Sequence, residues 1–152
     1  MITEGGLDQG RMIYAEGANY RFEIADTIAT CRVWRRPDLD SNAGARCAQE
    51  TIEHFRALAL AGSNVARAII LDVSDAPAVA GPRTLQAIGQ LLEAWELVKR
   101  PVAVVIGAAP IQALQFRRLI VEYAATCGAM FYDVESALSW AVQQKPSRSA
   151  QR

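Results

Sequence analysis

Two runs in the middle of this chain, AIILDV at 68–73 and PVAVVIG at 101–107, hold one charged residue between them. A half-buried strand alternates apolar and polar residues, because successive side chains point to opposite faces. Apolar runs without that alternation suit strands covered on both sides, the condition of central strands in a parallel sheet. Each run is followed by a segment with apolar residues at helical spacing. After GPRT, Leu85, Ile88, Leu92 and Trp95 fall on one stripe, and QALQFRRLIVEYAATC follows the second strand. AMFYDV and ESALSWAVQQ repeat the alternation once more. Strands and helices alternating at these lengths predict a parallel sheet with right-handed crossovers.

Upstream the pattern changes. YRFEIA places Tyr20, Phe22 and Ile24 on one side and Arg21 and Glu23 on the other. IATCRVWR carries Ala29, Cys31 and Val33 on its apolar side, and Asp26-Thr27 supplies a tight turn between the two. This is an antiparallel hairpin with one wetted face. RMIYAE is an optional strand ahead of it. PDLDSNAGARCAQETIEHFRALAL predicts a first helix, capped by Asp40 or Ser41, with Ala48, Ile52, Phe55 and Ala59 at helical spacing. The predicted fold class is therefore α/β: a single mixed, mainly parallel sheet with an antiparallel N-terminal hairpin and four helices, in the order β-β-α-β-α-β-α-β-α.

A chain of 152 residues fits one domain. It is placed at residues 12–144, between a Gly-rich segment at 1–11 read as disordered and a flexible basic tail at 145–152. Sixteen basic residues balance sixteen acidic ones, so no net field draws the chain to nucleic acid or to an anionic membrane. No secretion signal is legible at the N-terminus, and PVAVVIGAAPI is too short to cross a bilayer. Cys31, Cys47 and Cys127 form no C-x-x-C pair and read as free thiols of a reducing compartment. The expected location is cytoplasmic.

With His54 the one histidine, a Cys/His metal site is difficult to assemble, and no metal is expected. His54 also has no serine or cysteine assigned to it by spacing, and neither G-x-x-x-x-G-K nor G-x-G-x-x-G occurs. No catalytic residue, no cofactor and no enzymatic activity are predicted.

The element order, with ILDVS as central strand, resembles the STAS domain, the sulfate-transporter and anti-sigma-factor-antagonist family. AIILDVSDAPAV resembles that family's central strand and approach loop, PVAVVIG its next strand, and AMFYDVESALSWA its last strand and helix. The resemblance spans roughly residues 20 to 143. It implies a non-catalytic regulatory or protein-interaction domain. In the regulatory branch a serine or threonine in an Asp-Ser-Ser/Thr-Gly-Leu loop is phosphorylated by a partner kinase, and the added charge changes partner choice. Here the corresponding stretch is Ala80-Gly81-Pro82-Arg83-Thr84, or Gly81 to Leu85 with one residue of slippage. Neither register puts a hydroxyl at the acceptor position, so no phospho-switch is expected there.

What remains of the loop is physical. Pro82 suits a first helical turn, and the free N–H groups beside Arg83 suit an anion. Asp75, Gly81, Arg83 and Thr84 are the candidate ligand- or partner-binding residues, with Ser74 beside them. The alternative function is a small-ligand sensor, holding a nucleotide or anionic metabolite at this helix start. On the hairpin, Trp34 shares the polar face with Arg32, near Arg21, and these three form a candidate interface. The expected partner is another protein, or a second copy of the chain as a homodimer.

Overall fold

Asp26 and Thr27 both adopt left-handed backbone, with φ of 52° and 61°. Two consecutive positive φ values are what a two-residue type I′ hairpin turn requires. They join β2 (Tyr20–Ala25) to β3 (Ile28–Trp34), with Ala25 opposite Ile28 and Tyr20 opposite Val33. In the computed structural model, which describes residues 10–144, the leading strand is present as β1 (Arg11–Glu16), antiparallel to β2. Arg11, placed with the N-terminal segment on sequence grounds, is thus the first residue of a strand. The rest of that segment, 1–9, and the basic tail 145–152 lie outside the described residues.

The remaining elements follow the predicted alternation: α1 (Ser41–Ala61), β4 (Ala68–Asp75), α2 (Pro82–Leu97), β5 (Val102–Val105), α3 (Pro110–Tyr123), β6 (Gly128–Phe131) and α4 (Val134–Gln143). Asp40 is the cap of α1, its carboxylate accepting from the Ala43 N–H at 2.8 Å. The helix ends at Gly62, whose φ of 93° favours glycine. The six strands lie in chain order, antiparallel from β1 to β3 and parallel from β3 to β6.

Helices α1, α2 and α3 cover one face of the sheet, over Phe22, Cys31, Ile69, Leu71, Val102 and Val104. The alternate residues Ile28, Ala68, Ile70, Ala103 and Val105 meet α4 on the other face. This explains the two textures of the sequence: β4 and β5 are covered on both sides, whereas Arg32, on the same face as Ile28, lies beyond α4 and is exposed. Trp95 anchors the three-helix face. It is fully buried, donates from Nε1 to the Phe55 carbonyl at 3.1 Å, and lies under the Arg100 guanidinium, 4.8 Å from the ring centroid. Arg100 in turn donates to the carbonyls of Ala59 and Ala66, tying the end of α1 to the end of α2.

Candidate functional site

At the carboxyl end of β4 the chain must leave a doubly covered strand and turn into α2. Asp72, buried, accepts from the Ser74 N–H at 3.0 Å and from its hydroxyl at 2.6 Å. The residue that satisfies the turn is therefore Asp72, and Ser74 is its donor. The following segment, Ala76 to Gly81, is small and apolar, and α3 holds it. Gln112, also buried, donates to the Val73 carbonyl at 3.0 Å and accepts from the Gly107 N–H at 2.6 Å. Gln115 accepts from the Ala80 N–H at 3.1 Å and donates back to its carbonyl at 3.4 Å.

A cleft of about 680 Å³ opens between this loop, α1 and α2. Its origin lies in side-chain size: Gly44, Ala45 and Ala48 of α1 and Ala87 of α2 line it, so the two helices leave space between them. Leu71, Val73, Ile88, Leu91 and Phe116 give it a buried apolar floor, and Ser41, Gln49, Thr51, Gln86, Gln90 and Gln112 bring polar groups to the same lining. The rim includes Trp34, Gly81, Arg83 and Thr84. Among the described residues no carboxylate lines the cleft, and Arg83 is its one charged residue. Among the described residues Arg83 forms no ion pair. Helix α2 starts at Pro82 after the cap residue Gly81, which has no side chain to offer the Arg83 and Thr84 N–H groups.

Trp34 joins the hairpin to this cleft. Alternation places it beside Arg32, and the two are in contact, with the Arg32 guanidinium 5.9 Å from the ring centroid. The β3–β4 register shifts between Arg32 and Trp34, bringing Trp34 opposite Asp75. Arg32 then pairs with Asp75 at 2.8 Å, and the Arg35 N–H donates to the Asp75 carbonyl at 3.0 Å. The ring is half-buried and stands outside the buried core. Trp34 is thus where the hairpin meets the loop at the edge of the cleft. Arg32 and Asp75 reach the cleft only through their contacts with Trp34 and each other, and Arg21 does not reach it at all. Arg21 lies opposite Arg32 on β2 and pairs with Glu16 at 3.1 Å and Glu23 at 3.6 Å.

No family model and no curated protein matches the chain. Among solved structures it is similar to one titled "NMR Structure of the protein TM1081", with a TM-score of 0.60 over 88% of this chain and 96% of that one. At 12% identity the likeness is one of fold.

The remaining reactive side chains lie elsewhere. His54 packs edge-on against Tyr14 and Phe22, at ring separations of 5.7 and 5.3 Å, and beside Tyr20 at 5.9 Å. Burial, together with nearby Asp72, pushes the Cys31 thiol well above its ordinary range. Burial, with Glu96 beside it, raises that of Cys127. All three cysteines are free. Among the described residues no group of three His, Cys, Asp or Glu side chains could hold a metal, and no helix is long and apolar enough to cross a membrane. Sequence reasoning missed Asn19, Gln112, Gln115 and the small residues of α1. The spacing Gly44-Ala45-x-x-Ala48 was the available signal for the last of these.

Proposed function

We propose that this chain is a non-catalytic regulatory domain of STAS type that binds another protein through the rim around Trp34, Arg83 and Thr84. The observation that carries the reading is the union of Arg32, Trp34, Asp75, Arg83 and Thr84 on one end of the sheet, from separate parts of the chain. Arg32 and Arg36 are paired with Asp75 and Asp38, which leaves Arg83, on the cleft rim, without an ion pair among the described residues. An acidic segment with an aromatic or aliphatic anchor is the partner chemistry that complements it. The phospho-switch of the regulatory branch is not part of the proposal, because Gly81 and Pro82 occupy the helix start.

The test is affinity capture from a lysate of the source cells with wild type, Arg83→Glu and, as a distant control, Arg117→Glu. The reading predicts an acidic partner whose recovery falls with Arg83→Glu and persists with Arg117→Glu. Recovery indifferent to Arg83, or lost equally with both variants, contradicts it. A second reading, a small-ligand sensor, is favoured by the cleft itself, whose volume of about 680 Å³ falls within the range of small-molecule sites.

A further inference from the structure

Among the described residues the cleft combines a buried apolar floor, beneath partly polar walls, with a single charged side chain, Arg83, that forms no ion pair at its exposed rim. These two properties select the ligand. A nucleotide would bring a doubly charged phosphate to a single guanidinium, with no second cation in the lining among the described residues to share it. A polyphosphate would bring several negative charges to one guanidinium. A neutral apolar molecule would fill the floor but leave Arg83 and the uncapped N–H groups of Arg83 and Thr84 without an acceptor from the ligand. One carboxylate on an apolar body meets both conditions. We propose that the cleft binds a small amphiphilic carboxylate, its head at Arg83 and the start of α2, its body between α1 and α2 over Leu91 and Phe116. The helix start alone would not specify this ligand; the apolar volume behind it does. The inference rests on the sensor reading and names its ligand class.

Calorimetric titration and thermal shift test it with four probes: decanoate below its micelle-forming concentration, decanol, inorganic phosphate and ATP. The variants are Arg83→Gln, Gly81→Asp and the control Arg117→Gln. Gly81 has extended backbone and open space where a Cβ would stand, so Gly81→Asp places a carboxylate over the free N–H groups without disturbing the fold. Decanoate is predicted to bind and to raise Tm. Arg83→Gln weakens it by about tenfold or more, the loss of a charge-assisted hydrogen bond. Gly81→Asp abolishes it, decanol binds at least about tenfold more weakly, and Arg117→Gln changes nothing. Decanoate binding that is unaffected by Arg83→Gln, or matched by decanol, overturns the inference. Phosphate or ATP binding without decanoate binding overturns it while the sensor reading stands. Binding of none of the four overturns both.

Discussion

Trp34 and Trp95 are the same side chain in opposite circumstances, and the difference predicts how each responds to truncation. Trp95 is fully buried, donates to a backbone carbonyl and lies under a cation, so Trp95→Ala removes core volume and strands its partners. The expected cost is about 3–5 kcal/mol of folding stability. Trp34 is half-buried against Arg32 at the cleft rim, and Trp34→Ala is expected to cost only about 1 kcal/mol. Paired denaturant melts of the two variants check this; equal losses would place Trp34 in the core. The Arg32–Asp75 pair is exposed on both sides, so it positions the loop more than it stabilises the fold.

At the scale of elements, α4 depends on its first turn. The Asp133 carboxylate accepts from the Ser136 N–H at 2.7 Å and from the Ser136 hydroxyl at 3.0 Å, and these bonds hold its pKa below the usual carboxylate value. A depressed folded pKa contributes stability above the ordinary value and loses it as pH falls through the folded one. Arg36 does the same for Asp38, held down to about 2 chiefly by their hydrogen bond. Melting temperature is therefore expected to fall as pH drops from about 4 toward 2. Asp133→Asn keeps a capping oxygen but cannot titrate, and its acid limb should be shallower than wild type; an unchanged limb would remove Asp133 from the account.

A second element-level prediction concerns α3 and β6. A Cβ on Gly128 would meet the Ala124 carbonyl oxygen at 2.7 Å, which is backbone and cannot swing away. Gly128→Ala should lower stability by about 1–3 kcal/mol in a denaturant melt. On Gly89 the corresponding contact, also 2.7 Å, is with the Tyr123 ring, a movable side chain, and Gly89→Ala should cost less. Equal costs would show that the α2–α3 contact is as rigid as the backbone turn.

The elements were legible because each carries a local signal. The unalternating runs at β4 and β5, the alternation of β2, the Asp26-Thr27 turn and the Pro82 helix start all depend on neighbours in the chain. The cleft depends on neighbours in space. That Gly44, Ala45 and Ala48 face Ala87, or that Gln115 holds Ala80, follows from helix crossing and loop path, which no spacing rule reports. The position of Trp34 was legible from alternation only as far as Arg32; the register shift opposite Asp75 then carried it to the cleft.

For the whole molecule, one mixed sheet covered by helices carries the cleft at the carboxyl end of its parallel strands. A domain that binds there without a phospho-switch should carry no phosphate on Ser74 or Thr84 after incubation with lysate and ATP, as read by mass spectrometry. Phosphate at Thr84, exposed in the first turn of α2, would place a switch within that turn. A binding isotherm of the captured partner with Trp34→Ala decides whether Trp34 and its neighbours make the proposed contact. If the rim is the interface, the variant retains a near-wild-type melting curve and loses about 2 kcal/mol or more of binding free energy, as a buried anchor does. Binding of undiminished affinity to the folded variant would contradict it.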